Sequence, residues 1–362
     1  MFDLPPIELA TASAYAPGRV ELLGNHTDYN QGVVLAAAID RGLTVSGKAR
    51  ADDVVSFTSR DRAEVRLTSV APQEKQRWAN YPLGVVQQLQ RGGYNLRGFD
   101  ASVSGDVPTG AGLSSSAAFE VATAGFIMKL HRFKIAPLEV AKLCQRAENE
   151  FVGVQSGLLD QITSVFGRAD HLVYLDCQSE EVRTIPFPAG FALVIADSGM
   201  KHSLVAGEYN ARREECAAAA RSLGVRTLRE VTPQRLDEAR PSMDPLLYRR
   251  ALHIVGENDR VWRAIAALQN GDAATIGQLM NASHESSRVN FENSTPELDS
   301  LTTRARSLPG VLGSRLTGGG FGGGSVSLVR QEHADAVVEA LRAHSPAVFV
   351  CRIADGAAVH WA

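Results

Sequence analysis

The stretch "VPTGAGLSSSAA", residues 107–118, decides how this part of the chain folds. Residues 99–107 before it alternate apolar and polar side chains, as a half-buried strand does, whereas residues 116–131 after it repeat apolar side chains at helical spacing. Gly110 and Gly112 let the loop between the strand and the helix approach a ligand closely. The free N–H groups at the start of a helix attract anions. The loop predicts a phosphate site, and the alternative is a Gly/Ser turn with a serine helix cap.

On either side of this loop, strands and helices are grouped along the chain rather than strictly alternating. Residues 33–58 and 172–197 have the β-branched, punctuated character of strands. Helical periodicity covers residues 137–151, 157–167, 205–224 and 246–284, and a strand followed by a surface tail is expected at the C-terminal end. This predicts an α+β protein of two domains, residues 1–180 and 181–362.

Composition narrows the class of protein. The 362 residues carry a net charge of −3 without a basic block, so nucleic acid is not an expected partner. No apolar run is long enough to span a membrane, and the N-terminus lacks the pattern of a signal peptide. Four scattered cysteines indicate reduced thiols in a cytoplasmic protein. The segment 42–49, "GLTVSGKA", resembles a Walker A loop, but Ala49 replaces the required hydroxyl and a strand is expected.

Two further segments stand out. Residues 17–32, "PGRVELLGNHTDYNQG", crowd hydrogen-bonding side chains between two glycines, and residues 317–325, "TGGGFGGGS", hold six glycines around Phe321. The second segment precedes a strand-like run at once, which favours a turn close to a ligand over a flexible linker.

Together these segments resemble the GHMP kinase superfamily and, within it, the galactokinase family. The three motifs are "GRVELLGNHTDYNQGVVLAAAID" (18–40), "PTGAGLSSSAA" (108–118) and "LTGGGFGGGSV" (316–326), in the family's order. The resemblance implies a two-domain GHMP-kinase-like fold with the active site in the interdomain cleft. It also implies transfer of the γ-phosphoryl group of ATP to a sugar, with Mg²⁺.

The resemblance assigns roles residue by residue. Asp160 matches the catalytic base and Arg19 the active-site arginine. Glu148 and Ser116 match the magnesium ligands, with Glu150 as a neighbour that could be confused with Glu148. The nucleotide-binding positions are Trp78, Gly110, Gly112, Leu113, Ser114, Ser115 and Ser116. The sugar-binding positions are Asn25, His26, Asp28, Gly157 and Tyr209.

One departure from the family pattern bears on the substrate. Galactokinases usually read "GRVNLIGEHTDY", whereas Glu21 and Asn25 stand here in place of the Asn and the Glu. Loss of the carboxylate at position 25 would make a C6 carboxylate on the sugar acceptable. The expected activity is therefore a galactose 1-kinase, with galacturonokinase, an arabinokinase-type enzyme and a non-catalytic sugar sensor as alternatives. The expected assembly is a monomer or a weak dimer.

Overall fold

A computed structural model describes residues 11–60, 62–108, 110–200 and 205–357 of the chain. In this part the first sheet has seven strands, ordered β4-β3-β5-β2-β6-β7, with β1 also paired to β2. Its strands are β1 (Thr11–Leu23), β2 (Val33–Ala49), β3 (Val55–Ser59), β4 (Arg62–Leu67), β5 (Phe99–Gly105), β6 (His171–Asp176) and β7 (Glu181–Pro186). The segment resembling a Walker loop lies inside β2, as expected of a strand.

The helices of the first half cover this sheet. They are α1 (Asn80–Arg91), α2 (Ser115–His131), α3 (Pro137–Arg146) and α4 (Leu159–Phe166). Residues 117–128 of α2 are all buried, which its many small side chains allow because neighbouring elements can approach the helix closely. The helix predicted over 137–151 widens into a π-helical turn, Ala147–Val152, and this turn carries Glu148.

The second half contains a four-stranded antiparallel sheet, ordered β11-β8-β10-β9 within the described residues. Its strands are β8 (Phe191–Asp197), β9 (Val311–Thr317), β10 (Gly324–Arg330) and β11 (Val348–Cys351). Its helices are α5 (Val205–Ser222), α6 (Pro233–Ala239), α7 (Pro245–Gln269), α8 (Ala273–Ser286), α9 (Pro296–Ser307) and α10 (Ala334–Arg342). The helical stretch predicted over 246–284 is two helices, because Asp272 caps the start of α8 by accepting the Thr275 N–H.

The two halves share a hydrophobic core. Val20 and Leu35 from the first sheet pack in one cluster with Leu193 and Val326 from the second. The prediction of a C-terminal surface tail was wrong as far as residue 357. Ile353 forms a β-bridge with Ile39, and the Gly356 N–H donates to the Gly167 carbonyl at 2.7 Å. The final part of that tail, residues 358–362, lies outside the described residues.

The six-glycine segment is a tight turn between β9 and β10, as predicted, and not a linker. Its residues 318–323, called the glycine turn below, lie beside the phosphate loop: a Cβ atom added at Gly318 would be 2.9 Å from the Gly112 carbonyl oxygen. None of the helices in the described residues is long and apolar enough to cross a membrane.

Candidate active site

The phosphate loop has the backbone that the sequence predicts. Gly110 and Gly112 have φ angles of 87° and 72°, in the left-handed region that favours glycine. Ser114 precedes α2, but its hydroxyl does not cap the helix and donates instead to Asp160. Since Ser114 does not cap the first turn of α2, N–H groups of that turn are left in place for an anion.

Asp160 lies where the phosphate loop meets the start of the chain. Arg19 Nε donates to Asp160 Oδ1 at 2.7 Å, and Arg19 Nη2 lies 2.7 Å from the same oxygen. Arg19 Nη1 donates to the Gly112 carbonyl at 2.7 Å, and the Arg19 N–H donates to the Leu113 carbonyl at 3.1 Å. Since the Leu113 side chain is buried in the core, Leu113 contributes to this site through its backbone. One arginine thus fixes both the carboxylate and the loop.

Asp28, Gly157 and Tyr209 lie close to one another, and the charge of Asp160 acts on both Asp28 and Tyr209. A Cβ atom added at Gly157 would be 2.1 Å from Asp28 Oδ2, so the carboxylate of Asp28 rests directly against this glycine. Burial raises the pKa of Asp28 to about 7, and the negative charge of Asp160 adds to this shift. Two carboxylates and a tyrosine that share a small space suit the hydroxyl groups of a sugar.

His26 lies beside Tyr209, with ring centroids 4.8 Å apart, but both its ring nitrogens already have protein partners. Nε2 is 2.9 Å from the Gly319 carbonyl oxygen and must carry the proton, so Nδ1 accepts from the Tyr29 hydroxyl at 2.7 Å. Burial lowers the pKa of His26 to about 4, which keeps the ring neutral. His26 therefore ties the loop after β1 to the glycine turn.

Asn25 is fully buried, and the structure does not place it as an exposed sugar ligand. Its Nδ2 donates to the Gly318 carbonyl at 2.8 Å and to Glu21 Oε1 at 3.1 Å. Its Oδ1 accepts from Asn293 Nδ2 at 2.9 Å. With both ends of the amide engaged, Asn25 holds the glycine turn rather than facing the pocket.

Sequence reasoning singled out Glu21 but missed its partner Arg315 and the buried Glu257. Glu21 pairs with Arg315 Nη1 at 2.9 Å, and both side chains are almost completely buried. Glu257 on α7 accepts the N–H groups of Gly24 and Asn25, each at 2.9 Å. A signal for Glu257 was available in the sequence, because its helical spacing from Ile254 and Val261 places it on the buried face of α7.

Glu148 lies near Asp160 and Ser116, and both influence the pKa of its carboxyl group. The Glu148 carboxylate accepts hydrogen bonds from the Ser156 hydroxyl and from Gln161 Nε2, the latter at 3.1 Å. Burial raises the pKa of Glu148, and these hydrogen bonds oppose the shift. Glu150 is separate from this group, because it pairs with Arg91 on α1 at 2.8 Å and is half exposed.

A cleft of ≈ 1100 Å³ runs from Ser115 and Ser116 to Trp78. The Trp78 ring is parallel to that of Phe119, with centroids 6.2 Å apart. Asn80 and Gln73 also line the cleft, and the Asn80 side chain accepts the Gln73 N–H at 2.7 Å. The cleft has an aromatic end and a phosphate-loop end, as a nucleotide requires.

The comparisons with known proteins agree with this arrangement. Residues 80–168 match the model of the GHMP kinases N terminal domain, and residues 264–347 match GHMP kinases C terminal. Residues 8–49 match the galactokinase galactose-binding signature.

Whole-chain relatives support the same family. A galactokinase of Roseiflexus sp. is 45% identical, covering 94% of this chain and 91% of its own. One of Glaesserella parasuis is 38% identical, covering 98% and 100%. A crystal structure of Lactococcus lactis galactokinase complexed with galactose superimposes with a TM-score of 0.92 at 31% identity, covering 97% of this chain and 95% of that one. A mevalonate kinase structure shares the fold at a TM-score of 0.66, 18% identity and coverages of 95% and 99%. The chain belongs to the galactokinase family of the GHMP kinases.

Proposed function

We propose that this kinase transfers the γ-phosphoryl group of ATP to the anomeric hydroxyl of galactose and forms galactose 1-phosphate. The observation that carries the proposal is the position of Asp160, which Arg19 and Ser114 hold beside the phosphate loop and close to Asp28. A carboxylate fixed beside an anion site and close to groups that suit sugar hydroxyls can act on a hydroxyl that attacks a phosphate.

In this mechanism Asp160 accepts the proton of the anomeric hydroxyl while the sugar oxygen bonds to the γ-phosphorus. The bond from that phosphorus to the bridging oxygen breaks, and ADP leaves with the electron pair. Arg19 keeps Asp160 oriented and adds positive charge beside the transferring group. Because phosphoryl transfer depends on positioning and charge neutralisation, this one ion pair serves both needs.

The phosphate loop and the cleft hold the nucleotide in this proposal. The N–H groups of Ser115 and Ser116 at the start of α2 bind phosphate oxygens, and Trp78 lies at the end of the cleft that receives adenine. Glu148 and Ser116 fit Mg²⁺, since a buried carboxylate next to a hydroxyl supplies the hard oxygen ligands that this ion prefers. When bound, Mg²⁺ neutralises charge on the phosphates.

The sugar is bound by Asp28, Tyr209 and the backbone at Gly157, with His26 and Asn25 acting through the loops that they hold. Galactose is favoured over galacturonate because Glu21 supplies the carboxylate that position 25 lacks. Glu21 accepts a hydrogen bond from Asn25 and pairs with Arg315, so this loop still carries one carboxylate, at position 21 instead of 25. The exchange therefore adds no free positive group that would attract a sugar carboxylate.

A coupled assay of ATP consumption with galactose, galacturonate and arabinose at equal concentrations tests the proposal. We expect clear preference for galactose, and phosphorus NMR of the product should give the signal of a 1-phosphate. Preference for galacturonate or arabinose would overturn the assigned substrate. Binding of galactose and ATP without any sugar phosphate would favour a sensor.

We also propose a domain boundary, an assembly state and a location for this protein. The domain boundary lies near residue 180, supported by the change from the first sheet to the second between Pro186 and Phe191. The protein is a monomer or a weak dimer without a nucleic-acid partner, which sedimentation analysis at two concentrations would test. A cytoplasmic location is supported by its four free cysteines, three of them buried.

A further inference from the structure

Three helical segments bring a group of polar side chains together behind Glu148. Ser116 and Glu120 lie one turn apart on α2 and therefore share a face of that helix. Glu148 lies in the π-helical turn after α3, and Gln161 lies on α4 directly after Asp160. The group joins the phosphate loop, the proposed metal ligand and the element that carries the proposed base.

Gln161 is the centre of this group. Its Nε2 is 3.1 Å from Glu148 Oε2 and 3.1 Å from Glu120 Oε2, so each hydrogen of the amide has its own carboxylate. Glu120 and Gln161 have no exposed surface, and Glu148 is only 5% exposed. One amide therefore fixes two buried carboxylates relative to each other.

Two buried oxygens in this group have no partner among the described residues: Glu120 Oε1 and Gln161 Oε1. Burying unpartnered acceptors costs free energy, and an apolar pair of similar size would avoid that cost in a helix as well packed as α2. An arrangement that costs stability calls for a role beyond packing.

We propose that Glu120 and Gln161 are positioning residues for Glu148 and thereby set the affinity of the enzyme for its divalent cation. Gln161 holds Oε2 of Glu148, which fixes the rotamer of that side chain, and Glu120 holds Gln161 in the required orientation. The inference rests on the proposed role of Glu148 as a metal ligand. Because Gln161 directly follows Asp160, the same turn of α4 sets the positions of the base and of the metal ligand.

The test measures Mn²⁺ binding in the presence of ADP, by electron paramagnetic resonance, in Gln161→Leu and Glu120→Leu. Loss of an outer contact to a metal ligand should raise the Kd of Mn²⁺ by about 10- to 100-fold, while the KM for galactose stays near that of the wild type. If the leucine variants do not fold, the Kd of Mn²⁺ is measured in Gln161→Asn instead. This variant keeps the amide but shortens its reach, so its Kd should also rise. An unchanged Mn²⁺ Kd in folded variants would overturn the inference.

Gln88→Leu is a matched control. Gln88 is also a buried glutamine whose Nε2 donates to a glutamate, Glu150 Oε2, at 2.9 Å, but that glutamate lies outside the proposed metal site. We expect it to lower Tm without changing Mn²⁺ affinity. If Gln88→Leu weakened Mn²⁺ binding as much as Gln161→Leu does, the effect would be general destabilisation and the inference would fall.

Two more variants separate the inference from the proposal beneath it. Glu120→Gln keeps an acceptor for Gln161 Nε2 and offers a donor to the unpartnered Gln161 Oε1, so its Mn²⁺ Kd should stay well below that of Glu120→Leu. Glu148→Gln should weaken Mn²⁺ binding. If it does not, Glu148 is no metal ligand; if it does but Gln161→Leu and Glu120→Leu do not, only the positioning role is wrong.

Discussion

Among single residues, Asp28 lowers the stability of the folded protein at neutral pH while serving the proposed sugar site. Its carboxyl group has an ordinary pKa of 3.8 and a pKa of about 7 in the folded protein, first because of burial and then because of Asp160. A raised carboxyl pKa means that the folded state holds the proton more tightly. The stabilisation is therefore complete below about pH 3.8 and is lost as the pH rises through about 7.

Asp28→Asn should therefore be more stable than the wild type above pH 7, because the amide carries no buried charge. We expect Tm to be higher by about 2 °C or more at pH 8, with the difference shrinking towards pH 5. The same variant should lose affinity for galactose. Calorimetry across this pH range is the measurement, and a Tm below that of the wild type at pH 8 would contradict the assigned burial cost.

Glu21 and Asn25 should behave as one unit, because they contact each other and Glu21 is the ion-pair partner of the buried Arg315. Glu21→Asn leaves a buried arginine unpaired, which typically costs about 3–5 kcal/mol, and Asn25→Glu adds a second buried carboxylate. The double variant carries a single carboxylate again and should melt above both single variants. Thermal melts of the four proteins measure this coupling, and strict additivity would refute it.

At the level of the secondary-structure elements, Gly157 lies just before α4 and contacts Asp28 in the proposed sugar site. A methyl group there would collide with the Asp28 carboxylate, so Gly157→Ala must displace Asp28. We expect the KM for galactose to rise by about tenfold to a hundredfold with little change in the KM for ATP. Steady-state kinetics with each substrate varied in turn would show the difference.

Gly207→Ala is the control for this prediction. Gly207 lies on α5, where an added Cβ atom meets none of the described residues within 4 Å, so both KM values should stay at their wild-type level. Equal kinetic effects of the two substitutions would mean that contact with Asp28 does not explain the result.

The elements also show what the sequence could and could not predict. The strand, glycine loop and helix around residues 107–118 were predictable, because period-2 and period-3.6 patterns meet there across positions that need positive φ. The buried position of Asn25 was not, because it depends on Gly318 and Asn293, which are far away in the chain. Residues such as Glu257 and Gln161 act through distant partners too, and local patterns carry no information about those contacts.

At the scale of the whole molecule, the two halves are joined by charge and by packing. Glu21 from the first sheet pairs with Arg315 from the second, and Val20 and Leu193 lie in one shared core. Separation of the halves would expose that core and leave buried charges unpaired. Both halves therefore hold the site in place, and the glycine turn of the second half is in close contact with the phosphate loop of the first.

This sharing predicts a single cooperative unfolding transition for the ligand-free protein. The calorimetric enthalpy should equal the van't Hoff enthalpy, because neither half can keep its core alone. Differential scanning calorimetry makes the comparison directly. Two resolved transitions would show that the halves are energetically independent.

Asp160→Asn is the sharpest test of whether Asp160 is the base. The amide is nearly the same size and keeps an oxygen for Arg19, so folding and the Kd values for galactose and ATP should stay close to the wild type. Without a proton acceptor, kcat should fall by about 10²- to 10⁴-fold. A folded variant that binds both substrates and keeps the wild-type kcat would contradict the account.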